Sequence, residues 1–145
     1  MSEVFARGET GSFEFLDEGA VLTPVETDRF LRRLNNELAY AQLAVRRARK
    51  HEIACLQRYL EARAPWLLDP DCPKVGRRAG ETTQRQQDEW LAERIPNEYW
   101  AWKTAEVERR NAVDYADQVR NQMEIMRSLN RNAHALYDSY RGGAR

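Results

Sequence analysis

The sequence predicts an all-α protein, an antiparallel hairpin of two long helices with coiled-coil-like packing and a short extra helix after the connecting loop. Apolar residues recur at spacings of three and four along two long stretches, which is the period of a helix with one buried face. Glycine and proline together number only 12 of 145 residues. Charged residues make up 32% of the chain and the mean hydropathy is −0.80. Such a polar composition favours a narrow apolar seam over a large globular core.

The first long helix is predicted over residues 24–63. Thr23 is a helix cap, Pro24 suits the first helical position, and Glu26 completes a capping box with Thr23. No glycine or proline follows before Pro65. The apolar seam of this helix comprises Leu31, Leu34, Leu38, Ala41, Val45, Ala48, Glu52, Cys55, Tyr59 and Ala62.

Residues 64–81 contain three prolines and two glycines, so they are predicted to be a loop. A short helix is predicted over residues 82–95, and Pro96 then begins a long return helix over 96–141. Gly142 and Gly143 end it. The seam of the return helix, interrupted by Arg109 and Asn130, comprises Trp102, Ala105, Ala112, Ala116, Val119, Met123, Met126, Ala133, Tyr137 and Tyr140.

The helical domain, residues 23–145, is predicted to assemble into an oligomeric bundle. In a lone hairpin each helix hides only one face, and the alanine-rich seams bury little apolar surface. The pattern therefore predicts a homo-oligomer, but it does not indicate the number of subunits.

An acidic, flexible N-terminal arm is predicted over residues 1–22. Residues 1–28 hold seven acids and one arginine, a balance of −6, whereas residues 29–63 hold nine bases and three acids, a balance of +6. Within the arm, Phe13, Phe15 and Leu16 alternate with acids and form a candidate partner-docking segment. The alternative interpretation is that the two phenylalanines pack on a neighbouring helix of the same chain.

No catalytic motif is visible, so the sequence predicts a protein that is not an enzyme and has no cofactor. His51, Cys55 and Cys72 could in principle supply three zinc ligands, but a basic histidine and a seam cysteine explain two of them without a metal. The first residues are too polar for a signal peptide, and no apolar stretch is long enough to span a membrane. A cytoplasmic protein with free thiols is predicted.

The basic residues carry the functional prediction. Arg46, Arg47, Arg49 and Lys50 form a cluster on the first helix, and the return helix adds Arg120, Arg127 and Arg131 on one face. Arginine accounts for 20 of the 23 basic residues, and its planar guanidinium suits phosphate. These residues are candidate contacts to single-stranded nucleic acid. A helical module that docks on an acidic protein is the alternative.

Aromatic residues crowd the region around Pro96: Trp90, Tyr99, Trp100 and Trp102. Large aromatic side chains at a bend between two helices are typical of a packed core. A platform on which bases stack is the second interpretation.

Three segments carry a family resemblance: the stretch from Gly80 to Arg85, the Glu98–Glu106 stretch with Ala101-Trp102, and the run Gln122 to Leu129 that ends in Arg127-Ser128-Leu129. Together they resemble small helical recombination or single-stranded-DNA-binding accessory proteins, of the UvsY type, from phages of actinobacteria. The resemblance covers roughly residues 30–141. It implies a non-enzymatic oligomer in the host cytoplasm that holds single-stranded DNA and helps a recombinase load. Arg127 and Ser128 match the family's pattern most clearly.

Overall fold

The computed structural model describes residues 22–143 and contains three helices: α1 (Pro24–Leu67), α2 (Gln84–Arg94) and α3 (Pro96–Gly142). Within these residues no strand forms, and Val75 and Thr82 make an isolated bridge in the loop. The predicted all-α class, with two long helices and a short one between them, is confirmed. The chain divides into two compact units. The first unit contains residues 22–41 and 115–143, and the second unit contains residues 42–114.

The predicted start of α1 is confirmed. The Thr23 amide donates to the Glu26 carboxylate (3.0 Å), and the Glu26 amide donates to the Thr23 hydroxyl (3.3 Å). This reciprocal pair satisfies amide groups that the first helical turn leaves without partners. The hydrogen bonds from Thr23 also hold the pKa of Glu26 below its usual value. Pro24 is the first helical residue, as predicted.

The prediction that α1 ends at residue 63 is wrong, because the helix includes Pro65 and continues to Leu67. Proline removes one amide donor, which is tolerated near a helix end more easily than in its middle. The last turn is held from outside, since Trp66 packs edge-on against Trp90 of α2 with 6.2 Å between ring centroids. This aromatic contact offsets the lost backbone hydrogen bond.

The short helix α2 begins at Gln84, two residues later than the predicted start at residue 82, because Thr83 caps it. Thr83 is the N-cap of α2, and it exchanges hydrogen bonds with Gln86 in a second capping box. At the other end, the Ile95 amide still donates to the Leu91 carbonyl (2.9 Å). Pro96 then starts α3 at the predicted residue.

The core of the first unit joins α1 to α3. It consists of the buried side chains Phe30, Leu34, Val119, Met123 and Met126. The sequence places Leu31 and Leu38 in the seam, but both are only partly buried at the edge of this cluster. Phe30, which the predicted seam omits, is fully buried instead. Leu34 is buried as predicted, so the buried face of α1 is rotated by about 50°, or half a residue, from the predicted one.

Polar pairs across the two helices explain this rotation. The Tyr115 hydroxyl donates to the buried Glu37 carboxylate (2.8 Å). At the far end of the unit, the Thr27 hydroxyl donates to Asn130, whose own side-chain amide donates to Asp28 (2.9 Å). Buried polar groups are tolerated when they are hydrogen-bonded. Asn130, an interruption in the predicted seam, is thus a paired contact, and the pairs run antiparallel within this unit.

The last turns of α3 depart from the prediction. Tyr137 and Tyr140, assigned to the seam from their spacing, are 57% and 81% exposed. The contacts from Thr27 to Asn130 place the first turn of α1 beside residue 130. Residues 135–142 of α3 therefore extend past the start of α1, and periodicity alone cannot reveal that the neighbouring helix has ended.

The second unit has an aromatic core. Tyr59 of α1 stacks on Trp102 of α3 with 5.0 Å between ring centroids, and Tyr99 packs edge-on against both rings. Leu91 of α2 is fully buried in the same unit. Arg109, the second polar interruption of the predicted seam, binds Glu52 with 2.5 Å between guanidinium nitrogen and carboxylate oxygen. Glu52, a member of the predicted seam of α1, therefore pairs with Arg109, which interrupts the predicted seam of α3.

The Tyr59 hydroxyl is buried and has no hydrogen-bond partner among residues 22–143. Burial raises the pKa of Tyr59, and the nearby Asp88 carboxylate adds to that effect. The Arg63 guanidinium lies over the ring, 5.8 Å from its centroid, and its positive charge partly opposes this rise in pKa. A buried polar atom without a partner destabilises a fold.

We therefore expect Tyr59→Phe to keep or raise the free energy of unfolding, by up to about 1 kcal/mol, because the ring contacts remain and the unpaired hydroxyl is removed. Urea unfolding followed by circular dichroism measures this. Tyr59→Ala is the comparison, with an expected loss of about 3–5 kcal/mol from the emptied aromatic core. A clear loss of stability in Tyr59→Phe would show that the hydroxyl has a partner.

Candidate nucleic-acid interface

The basic cluster of α1 lies in the second unit, on the solvent side of the helix. Arg46, Arg47, Arg49 and Lys50 are all exposed. At about 100° per residue they occupy an arc of about 160° opposite the buried Cys55 and Tyr59. Within the described part of the chain, no carboxylate lies within 4.0 Å of any of the four. This run therefore concentrates positive charge that neighbouring acids do not neutralise by direct pairing.

The three arginines predicted on α3 lie in the first unit, and two of them are paired. Arg120 binds Asp117 and Arg127 binds Glu124, each at 2.5 Å and each within one helical turn. Arg131 donates to the Ser128 hydroxyl (3.4 Å). Both ion pairs are about half exposed, and exposed pairs of this kind contribute only about 0–1 kcal/mol. A phosphate group can compete with them at little cost.

An open groove of about 480 Å³ lies between α1 and α3 in the first unit. Leu31 and Met123 provide apolar surface, and four polar side chains complete the lining: Arg32, Asn35, Asn36 and Arg127. Guanidinium groups suit phosphate, and carboxamides can hydrogen-bond to the edges of bases. The groove therefore combines charge, hydrogen-bonding groups and an apolar wall within a volume typical of a ligand site.

The structure brings Arg127 close to residues that the sequence did not single out as contacts. Arg32, Asn35 and Asn36 join it through the antiparallel pairing of the first unit. The sequence spacing of three and four shows that Arg32, Asn35 and Asn36 share one face of α1. It does not show that Arg127 of α3 lies beside them. The cluster at Arg46 and the arginines at 120–131 belong to different compact units.

On α3 in the second unit, two bases share one acid. Lys103 and Arg110 both bind Glu106, at 3.2 and 2.5 Å. The hydrogen bond from Lys103 lowers the pKa of Glu106. Lys103 also lies 4.2 Å from the centroid of the Trp102 ring. This network occupies charges that would otherwise be available to a ligand.

The aromatic residues around Pro96 divide between two roles. Trp102 stacks inside the second unit on Tyr59, which is the predicted core role. Trp90 packs on Trp66, and the Arg94 guanidinium covers its ring at 3.9 Å. Trp100 is 60% exposed. Among these four aromatic residues, Trp100 is therefore the one whose side chain is largely exposed. If bases stack on this region, Trp100 is the residue available to them.

The two cysteines are free and buried. The Cys55 sulfur lies 3.6 Å from Nε2 of His51, whereas Cys72 lies in the loop, near the Gln87 side chain. Among residues 22–143, no group of three or more histidine, cysteine or acidic side chains could hold a metal ion. In the same residues, no helix combines the length and the apolar character that crossing a membrane requires.

The candidate docking residues Phe13, Phe15 and Leu16 lie outside the described residues. Comparison with known proteins found no family model that matches the chain, and no curated protein or solved structure that is similar to it. The resemblance to UvsY-type accessory proteins therefore stays a prediction.

Proposed function

We propose that this chain is a non-enzymatic accessory protein of phage recombination or repair that binds single-stranded DNA through arginine-rich helix faces. The observation that carries the proposal is the exposed cluster Arg46, Arg47, Arg49 and Lys50, with no carboxylate within 4.0 Å among the described residues. Four cations lie within about 6 Å along the helix axis, and their long side chains spread over an arc of about 160°, so together they can reach several phosphates of one strand.

The groove of the first unit supports the same proposal independently. Arg32 and Arg127 would pair with phosphates, and Asn35 and Asn36 would hydrogen-bond to bases lying against Leu31 and Met123. Among the residues that the structure describes, no aromatic side chain lines this groove. Binding there would depend on charge and on hydrogen bonds to base edges rather than on stacking, so we expect the two asparagines to give this groove some preference among bases.

The proposed protein is an antiparallel helical hairpin that works as a homo-oligomer. The antiparallel contacts within each unit support the hairpin, and the exposed apolar side chains support self-association. Phage origin, the loading of a recombinase and residence in the host cytoplasm rest on the resemblance of the sequence to UvsY-type proteins.

Fluorescence polarisation of labelled oligo-dT, titrated with the full chain in 50 mM salt, tests DNA binding. We expect saturable binding in low salt that weakens steeply as salt is added, because phosphate pairing releases counterions. Absence of binding in low salt, both with the full chain and with a chain lacking residues 1–22, would contradict the proposal. The truncated chain is included because the acidic arm carries charge opposite to that of the basic cluster.

A second candidate function is a protein-interaction module, and one observation favours it. Ile53, Leu60 and Leu67 recur every seven residues on α1 and are 66%, 41% and 37% exposed. Such a stripe is a surface on which a partner helix can dock. If this is the function, Leu60→Lys abolishes capture of a protein partner from nuclease-treated host lysate, and the full chain does not bind oligo-dT.

A further inference from the structure

The outer face of α3 in the first unit carries a second apolar stripe, separate from the one that packs on α1. Ile125, Leu129, Leu136 and Tyr140 lie on this face and are 52%, 38%, 61% and 81% exposed. Successive spacings of four, seven and four keep them within about 60° of one another around the helix. The core residues Val119, Met123 and Met126 are centred about 100° away around the helix. We call these four residues the outer seam.

From the outer seam we infer that a second copy of this chain docks on α3, in an antiparallel pair related by a two-fold axis. The inference deepens the homo-oligomer of the proposed function and does not depend on nucleic-acid binding.

The spacing of the outer seam is the first argument for an identical partner. A two-fold interface requires that each residue i that contacts residue j be matched by a contact from j to i. The spacings along the outer seam, four, seven and four residues, are the same when the helix is followed in either direction. An antiparallel copy therefore places Ile125 against the partner's Tyr140, and Leu129 against the partner's Leu136. A partner of unrelated sequence would not require this symmetry.

The border of the outer seam is the second argument. Two identical chains bring copies of the same border residues close together, so charges of one sign would repel. The border holds no charged residue, although 32% of the chain is charged; it consists of Asn121, Gln122, Ser128, Asn132, Ala133 and Ser139. Depletion of charge is characteristic of the centre of protein interfaces.

Asn132 is the third argument, since it lies at the middle of the outer seam and is exposed. In the antiparallel register the two copies of Asn132 lie on the same face of the helix pair, close to the two-fold axis. Their carboxamides can hydrogen-bond to each other there. A single asparagine in an apolar seam is a known device for selecting register and number of helices. Slippage by one turn would separate the two carboxamides and leave them without this partner.

The size of the surface sets the expected affinity. The outer seam is about 22 Å long, and two such helix faces hide on the order of 1,000 Å² in total. That area lies at the low end of specific interfaces, so we expect a dimer that forms in the micromolar range.

Sedimentation velocity across the micromolar range tests the pair. We expect the mass to rise with concentration from 17.0 kDa towards twice that value. The variant Ile125→Lys/Leu136→Lys should remain a monomer while its circular dichroism stays unchanged, because both side chains lie outside the core. The matched control is Leu68→Lys/Val107→Lys, which places the same charges on exposed apolar residues of the second unit and should still dimerise. A monomeric native chain, or a dimeric Ile125→Lys/Leu136→Lys variant, would overturn the inference.

Cysteine cross-linking tests the direction of the pair. A mixture of Ile125→Cys and Tyr140→Cys chains should form a mixed disulfide under mild oxidation, and Asn132→Cys alone should form a homodimer. The native cysteines are buried and serve as an internal background. Efficient homodimers of Ile125→Cys would instead indicate a parallel pair and contradict the two-fold antiparallel arrangement. Oligo-dT binding by a monomeric chain would contradict this inference and leave the proposed DNA binding standing.

Discussion

Replacing Leu34 with alanine is expected to lower the free energy of unfolding by about 3–5 kcal/mol. Leu34 is fully buried among Phe30, Val119, Met123 and Met126 in the first unit. Truncation removes the contacts of three carbons and leaves a cavity that two long helices cannot close without losing other contacts. Since small domains are stable by only about 5–15 kcal/mol, this loss is large. Urea unfolding followed by the helical circular dichroism signal measures it.

Two leucine variants serve as controls for this prediction. Leu68→Ala removes the same atoms from a side chain that is 86% exposed, and it should change the free energy of unfolding by less than about 0.5 kcal/mol. Leu31→Ala should lie between the two, because Leu31 is only partly buried at the edge of the core. Equal losses for Leu31 and Leu34 would instead favour the buried face that the sequence predicted.

Neutralising Arg46, Arg47, Arg49 and Lys50 together to glutamine is expected to weaken oligo-dT binding at least tenfold in low salt. Four phosphate contacts to a single strand give a slope of about −2.8 for the logarithm of affinity against the logarithm of salt. Between 50 and 200 mM salt, that slope alone amounts to a loss of about fifty-fold in affinity. The variant should lose most of this salt dependence, which polarisation titrations at several salt concentrations measure.

A control of equal charge separates local contact from total charge. Arg58, Lys74, Arg77 and Arg78 are exposed bases of the second unit outside the cluster, and replacing them with glutamine removes the same four charges. We expect this variant to bind oligo-dT within about threefold of the native chain, since long-range attraction is screened over about 10 Å. If both variants lose affinity equally, net charge rather than the α1 cluster drives binding.

The sequence was sufficient for the helices because their signals are local. The Thr23 capping box, the start at Pro24 and the break at Pro96 depend on backbone groups a few residues apart, and the structure has all three. The end of α1 was not predictable in this way. Its helix continues through Pro65 because Trp66 packs on Trp90, a residue more than twenty positions away in the chain.

The candidate site shows the same division. The exposed cluster at Arg46 follows from helix spacing alone, since the four residues are neighbours in sequence. The approach of Arg32 to Arg127 does not, because it depends on which residue of α1 lies beside which residue of α3. Pairing between helices is set by contacts such as Glu37 with Tyr115, and the sequence carries no local signal for them.

By itself, then, the sequence determined the class of the protein, the existence and approximate bounds of its three helices, and the solvent-facing position of its main basic cluster. Only the tertiary structure decided which face of α1 is buried, which polar side chains pair between α1 and α3, and which apolar stripe of α3 stays uncovered. The physical reason is range. Helix period and caps are fixed by hydrogen bonds within four residues, whereas burial and the hydrogen bonds between α1 and α3 depend on side chains about 80 to 100 positions apart, as Glu37 with Tyr115 and Thr27 with Asn130 illustrate.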